Sequence, residues 1–213
     1  MAAAVLLLVA LALIGYAYVG YPALMFLRAR FRPRPIQRAP IRPNVTIVIA
    51  AWNEAKTILH KLQDLAQQSY PAELTEVIVA CDGSSDGTPL IAERARSLYG
   101  ERLHVVAIVQ HAGKAAALNA ALRRARGEIV VFTDARQDLT HNAVAALVDN
   151  FADPEVGAAG GELVLAGDAP AGVYWKYEAA LRKWESAAGS TVGVSGALYA
   201  LDRKSTRLNS SHI

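Results

Sequence analysis

The stretch Val130-Val131-Phe132-Thr133-Asp134-Ala135-Arg136-Gln137-Asp138 decides how this chain is read. From Ile129 to Thr133 the side chains are apolar or β-branched without interruption, and the run then stops at an acid. A strand with one wet face alternates polar and apolar residues. A strand covered on both faces does not, and parallel sheets are the ones covered on both faces. An acid at the tip of such a strand is costly unless a cation, a hydroxyl or a ligand meets it, because the tips open into a partly dry crevice.

Outward from this strand, similar runs alternate with helical patterns. Val45-Thr46-Ile47-Val48-Ile49-Ala50 predicts a strand, and Ile58, Leu59, Leu62 and Leu65 fall at helical spacing within Glu54 to Gln68. Further strands are predicted at Val77 to Ala80 and His104 to Val109. Further helices are predicted over Thr88 to Tyr99, Gly113 to Arg126 and Thr140 to Phe151, with Gly127 as a C-cap of the second. Strand-helix alternation of this kind predicts an α/β fold around a doubly wound, mostly parallel sheet. Beyond it, Val156 to Leu165 predicts another strand, with the glycines Gly157, Gly160 and Gly161 serving a turn. Val173 to Ala188 predicts an amphipathic helix carrying Tyr174, Trp175, Tyr177 and Trp184.

The front of the chain is different. Met1 to Leu27 contains no charged residue, and about 20 apolar residues suffice to cross a bilayer. A signal peptide would want a basic leader and a shorter apolar core, so residues 1–27 are expected to be a transmembrane helix. Arg28, Arg30, Arg32, Arg34, Arg38 and Arg42 follow, interleaved with prolines, and residues 28–43 predict a juxtamembrane linker. Arginines on that side orient the globular part to the cytoplasm. From Asn44 to Asp202 there are 13 Lys+Arg against 19 Asp+Glu, so no nucleic-acid partner is expected. Cys81 is the only cysteine, which excludes an internal disulfide framework.

In open α/β sheets ligands bind beyond the carboxyl ends of the strands. Those ends hold Ala50-Ala51-Trp52-Asn53-Glu54, Cys81-Asp82-Gly83-Ser84-Ser85-Asp86-Gly87, His111-Ala112-Gly113-Lys114 and Asp134-Ala135-Arg136. Each has an ordinary reading. Glu54 can complement a helix dipole, and Ser84, Ser85 and Asp86 can form an N-cap. Lys114 can be a first-turn lysine, although a cation there is mildly unfavourable, which favours a phosphate role. Asp134 is the hardest to explain without a partner. Gly113-Lys114 lacks the Walker spacing, and Gly157 to Gly161 does not join a strand to a helix, so neither common nucleotide fingerprint is present.

The ordered stretches VTIVIAAWNEA, VIVACDGSSDGT, GKAAALNAAL, GEIVVFTDARQDL and YWKYEAALRKWESAAGSTVGVSGALYA resemble family 2 inverting glycosyltransferases of the GT-A fold, particularly the membrane-attached ones related to polysaccharide synthases. The resemblance covers about Pro43 to Arg203 and implies a GT-A domain over residues 44–203. It implies that Glu54 and Asp82 contact the nucleobase and ribose of a sugar nucleotide, with Ala50 backing the base and Gly83 in the same loop. Lys114 would lie near the diphosphate. Asp134 matches the first acid of the D-x-D element, while Arg136 stands where the second acid usually is. A divalent ion, Mg²⁺ or Mn²⁺, is implied, held by Asp134 alone, by Asp134 with help from Asp138, or replaced in part by Arg136; Asp134 is the preferred metal ligand. The implied partners are a nucleotide-sugar donor, UDP-linked by first expectation, and a lipid-linked or polysaccharide acceptor at the cytoplasmic membrane face.

In this family the acid that deprotonates the acceptor lies downstream of the segment matched by Gly196 to Ala200. Residues 204–213 have neither the periodicity nor the composition of the rest and resemble adapter sequence, so the expectation is a truncated, inactive enzyme. Two other readings stand beside it. One is a non-catalytic module that binds sugar nucleotides. The other is a nucleotidyltransferase, which would want a glycine-rich basic loop where Trp52-Asn53-Glu54-Ala55 stands.

Overall fold

In the computed structural model, which describes residues 1–162, 172–189, 191, 193 and 196–203, the run at 129–133 is a strand with all five residues buried. This strand, β4 (Ile129–Thr133), lies beside β1 (Val45–Ala51), which lies beside β2 (Thr75–Asp82), which lies beside β3 (Leu103–Ile108), all parallel. On its other side β4 pairs antiparallel with β6 (Leu198–Asp202), and β6 pairs antiparallel with β5 (Ala158–Gly160). The sheet order is therefore β3-β2-β1-β4-β6-β5. The chain winds outward from β1 to β3 and then returns to place β4 on the opposite side of β1. That reversal opens a crevice between the carboxyl ends of β1 and β4.

The missing polar alternation has its cause in two cores. Ile47, Ile49, Val77, Val79 and Val131 pack on one face with Ile58, Leu62 and Leu65 of α3 (Ile58–Ala66), Ala92 of α4 (Thr88–Arg94) and Val144, Leu147 and Val148 of α7 (Ala143–Val148). Val48, Ile78, Ala80 and Val130 pack on the other face with Ala117 and Ala121 of α6 (Lys114–Leu122) and with Ala125. Alanines spaced by four along α6 let that helix lie close on β1 and β2.

Several expectations are corrected in detail. Gly127 is not a C-cap, since α6 ends at Leu122. It lies against β1, where its N–H donates to Thr46 Oγ1 at 2.8 Å and an added Cβ would fall 2.4 Å from the Thr46 nitrogen. Gly160 lies in β5 rather than in a turn, because β6 offers a paired edge that no local pattern announces. Of the strand expected over 156–165, the structure forms Ala158–Gly160 among the described residues, and residues 163–165 lie outside them. The helix expected over 88–99 is two pieces, α4 and α5 (Arg96–Tyr99), meeting at Ala95. The tail 204–213 lies outside the described residues.

Residues 1–36 and the described part of 164–193 form a separate unit. One continuous helix runs from Ala2 to Phe31, made of α1 (Ala2–Gly15), a π turn (Tyr16–Gly20) and α2 (Tyr21–Phe31). It is 30 residues long and holds an 18-residue stretch of mean hydropathy 2.4, which makes it long and apolar enough to cross a membrane. Against it packs α8 (Val173–Ala188). Trp184 meets Phe26 edge to face at 5.3 Å, and Tyr21 donates its hydroxyl to Glu185 at 2.7 Å. The Tyr177 hydroxyl donates to the Tyr18 carbonyl inside the π turn at 2.8 Å.

Candidate functional site

The site is built from the carboxyl ends of β1, β2 and β4 and the start of α6. Strand β2 ends at Asp82, which is 2% exposed. Gly83 follows at φ +64°, and its N–H donates to the Ile108 carbonyl at the end of β3. This turn lets the segment after β3 pass directly over it. There the Asp82 carboxylate accepts the Ala112 N–H on Oδ1 and the Gly113 N–H on Oδ2, both at 2.8 Å, while His111 Nδ1 stands 2.9 Å from Oδ2. Asp82 thus fixes the backbone immediately before Lys114, the first residue of α6.

Lys114 Nζ reaches Asp134 Oδ1 at 2.7 Å. Arg136 donates from Nε to Glu54 Oε1 at 2.8 Å, with Nη2 in an ion pair 2.8 Å from the same oxygen, and the second oxygen of Glu54 accepts the Thr57 hydroxyl at 2.9 Å. The two cations expected at the site are therefore each paired with one of its acids, at the crevice where the winding of the sheet reverses. The Glu54 hydrogen bond raises the pKa of Arg136 and keeps its guanidinium charged. The side chains of Lys114 and Arg136 are 54% and 71% exposed. Ion pairs this exposed contribute only about 0–1 kcal/mol to stability. Folding alone gives little reason to gather four charges here, and a ligand that can exchange partners with them gives a strong one. Ala50 sits half-buried near the end of β1, on the α6 face of the sheet.

The loops after β1 and β2 are stitched together. Asn53, at φ +55°, donates its N–H to Ser84 Oγ and accepts the Ser85 N–H on its amide oxygen. Asp86 accepts N–H groups from Ala55 and Thr88, and Thr88 Oγ1 accepts the Glu54 N–H. The N-cap of α4 is Gly87, with no side-chain cap bond, so the cap expected among Ser84, Ser85 and Asp86 is corrected: Asp86 accepts the Thr88 N–H from one residue further out, together with a bracing of Glu54 that the sequence does not show. The Thr88 hydroxyl, with those backbone donors, holds Asp86 below the usual carboxylate range. Trp52 stacks on His111 with ring centroids 4.5 Å apart, placing a flat aromatic surface on the same rim.

One residue absent from the sequence-based site is Lys61. It is 1% exposed, donates from Nζ to the Gln137 carbonyl at 2.6 Å, and lies 3.7 Å from Asp64 Oδ2. Asp64 in turn accepts the Leu139 N–H. Helix α3 thus grips the segment that carries Asp134 and Arg136 from beneath. Burial lowers the Lys61 pKa, and Asp64 opposes the shift. The signal was available, since Lys61 falls three residues after Ile58, on the apolar stripe. Replacing Lys61 with Met is expected to leave the Gln137 carbonyl and Asp64 without their buried donor, at about 1–3 kcal/mol, and to loosen the segment 134–139. Urea unfolding and amide hydrogen exchange over residues 134–139 of the same variant check both effects.

Among the described residues no three of His, Cys, Asp and Glu gather into a metal set. Asp138 pairs with His60 at 3.0 Å. Asp134 brings one carboxylate, with Oδ1 on Lys114.

Residues 46–201 match the family described as Glycosyl transferase family 2. An N-acetylglucosaminyltransferase of Rhizobium meliloti (strain 1021) is 32% identical over 130 residues, which are 61% of this chain and 30% of that protein. A beta-monoglucosyldiacylglycerol synthase of Synechocystis sp. is 36% identical over 118 residues, covering 54% of this chain and 24% of that protein. This chain therefore spans less than a third of the length of these two relatives. Among solved structures, the mannosyltransferase PcManGT from Pyrobaculum calidifontis in complex with GDP-Man and Mn²⁺ has a TM-score of 0.77 and 35% identity, over 92% of this chain and 56% of that one.

Proposed function

The chain belongs to glycosyl transferase family 2, and from that premise we propose that it binds a nucleotide sugar at the carboxyl rim of its sheet for transfer, with inversion, to a lipid-linked or polysaccharide acceptor at the cytoplasmic face of a membrane. The observation that carries this reading is the double pairing of Lys114 with Asp134 and of Arg136 with Glu54 where the sheet reverses its winding. The nucleoside lies against Ala50, with Glu54 and Asp82 at its edge and the backbone of Gly83 close by. The diphosphate draws Lys114 away from Asp134, so that the ammonium meets the charge that develops on the leaving group. Arg136 sits beside it as a second, planar cation suited to phosphate.

A divalent ion fits this arrangement in a limited way. Mg²⁺ and Mn²⁺ are commonly held by one or two carboxylates plus substrate phosphates and water, rather than by a full protein cage. Asp134 offers one such carboxylate at the partly exposed end of β4, and the related mannosyltransferase contains Mn²⁺ with GDP-Man. Bound at Asp134, the ion supplies charge neutralisation for the departing diphosphate.

UDP is the proposed nucleotide, with GDP as its competitor. The helix Ala2–Phe31 is the proposed anchor, and the arginines that follow it support a cytoplasmic side for the sheet. Calorimetric titration of the detergent-solubilised chain tests the reading. UDP is expected to bind with Mn²⁺ present and to lose at least about tenfold in affinity with EDTA, a change of roughly 1.4 kcal/mol. Binding of GDP in preference to UDP would reassign the nucleotide. Absence of binding to both would remove the donor site.

A further inference from the structure

A second charged cluster lies on the opposite rim of the same sheet. His104 near the start of β3, Arg123, Arg124, Ala125 and Arg126 between α6 and β4, and Arg203 after β6 line a cavity of about 490 Å³. All six lie at the amino ends of the parallel strands, because β6 runs antiparallel and brings Arg203 to Glu128, just ahead of β4. Among the described residues the side chains of Arg123, Arg124 and Arg126 make no ion pair and no hydrogen bond. Arg203 donates to the Arg126 carbonyl at 3.0 Å, which ties the two sides of the cavity together. No acid lines it. Glu76 beneath it is turned inward, accepting the Thr46 hydroxyl and the Arg126 N–H, with His104 at 3.8 Å.

Favourable interaction with the carboxyl end of α6 accounts for Arg123 and Arg124, because cations there complement the helix dipole. It does not account for Arg126 and Arg203, which come from the following loop and from a strand far away in sequence. Guanidinium groups around a concave space whose described lining holds no acid match the planar, multidentate geometry of phosphate oxygens. The volume falls in the range of small-molecule sites, about 300–1,000 Å³, and so exceeds what a bare inorganic ion needs.

We propose that this cavity is a binding site for an organic phosphate ester, distinct from the donor site on the carboxyl rim. The ester is either the headgroup of an anionic lipid or a soluble phosphorylated metabolite, and the two share the chemistry that the arginines recognise. The full chain in neutral detergent at low salt is titrated with glycerol 3-phosphate, and separately with micelles carrying phosphatidylglycerol or phosphatidylcholine. The R123Q/R124Q/R126Q variant changes only exposed side chains and should fold as the wild type does. It is expected to lose at least about tenfold in affinity for the ester, whereas Lys114→Ala, at the donor site, retains it. Wild-type binding of glycerol 3-phosphate assigns a soluble ligand. Binding of phosphatidylglycerol micelles alone, weakened in the triple variant, assigns a lipid headgroup. Equal binding by wild type and triple variant, or no binding of either phosphate by the wild type, overturns the proposal.

Discussion

Asp134→Asn is expected to weaken Mn²⁺-dependent binding of UDP by about 10- to 100-fold, roughly 1.4–2.7 kcal/mol, with little change in folding stability. The substitution keeps the shape of the side chain and removes its charge. Two functions of that charge are lost together: the pairing that holds Lys114 in place, 2.7 Å away, and the anionic ligand proposed for the ion. Stability changes little because the Lys114 pair is exposed, and such pairs contribute about 0–1 kcal/mol. Asp138→Asn is the informative control. Its carboxylate is paired with His60 and is strongly exposed, so affinity should stay within about twofold if Asp134 alone serves the metal. Equal losses in both variants would mean that the segment after β4 shares the ligand between its two acids. The titration that measures affinity, repeated over a range of Mn²⁺, separates these outcomes.

Gly83→Ala should produce the largest loss of stability, about 3 kcal/mol or more. At φ +64° any side chain other than glycine is disfavoured, by about 1 kcal/mol. The new Cβ would also fall 2.3 Å from the His111 nitrogen and 2.8 Å from its Cα, and these are backbone atoms that no rotamer change can move. Relief requires the segment 110–113 to lift, which breaks both N–H bonds to the buried Asp82 carboxylate and displaces Lys114. Gly87→Ala isolates the conformational part, since Gly87 has φ +82° but nothing within 4 Å of an added Cβ. It should cost only about 1 kcal/mol. Urea unfolding of the two variants decides the matter. Similar losses would show that the close approach over Gly83 is unimportant.

The sheet was legible because its central strands are buried on both faces, so that β1, β2 and β4 read as unbroken apolar runs. Lys114 and Asp134 were legible as charges at places where charge is unfavourable, a helix start and a strand tip. What pairs with what was not legible. The contacts of Lys114 with Asp134 and of Arg136 with Glu54 depend on β4 lying beside β1, a long-range arrangement that no local pattern encodes. The strand β6 was hidden for the same reason, since it is defined by the edge it joins, and β5 was foreseen only as part of a longer run over 156–165. Gly127 was misread because glycine after a helix is commonly a cap, while here the determining fact is the approach of Thr46 from another strand. Asp82 was read as a group that faces the ligand, and the structure adds a backbone task, bracing the segment that leads into α6. Lys61 could have been noticed, as a charge within an apolar stripe, but its purpose depends on where residues 134–139 lie.

The central claim is that a diphosphate docks where Lys114, Asp134, Arg136 and Glu54 gather. Its most direct test is the affinity of uridine, UMP and UDP, measured with Mn²⁺ for wild type and for Lys114→Ala. The predicted result is that wild type gains affinity with each added phosphate, and that Lys114→Ala loses the gain from UMP to UDP while binding uridine as before. A Lys114→Ala variant that keeps the full preference for UDP, or that loses affinity for all three equally, would contradict it.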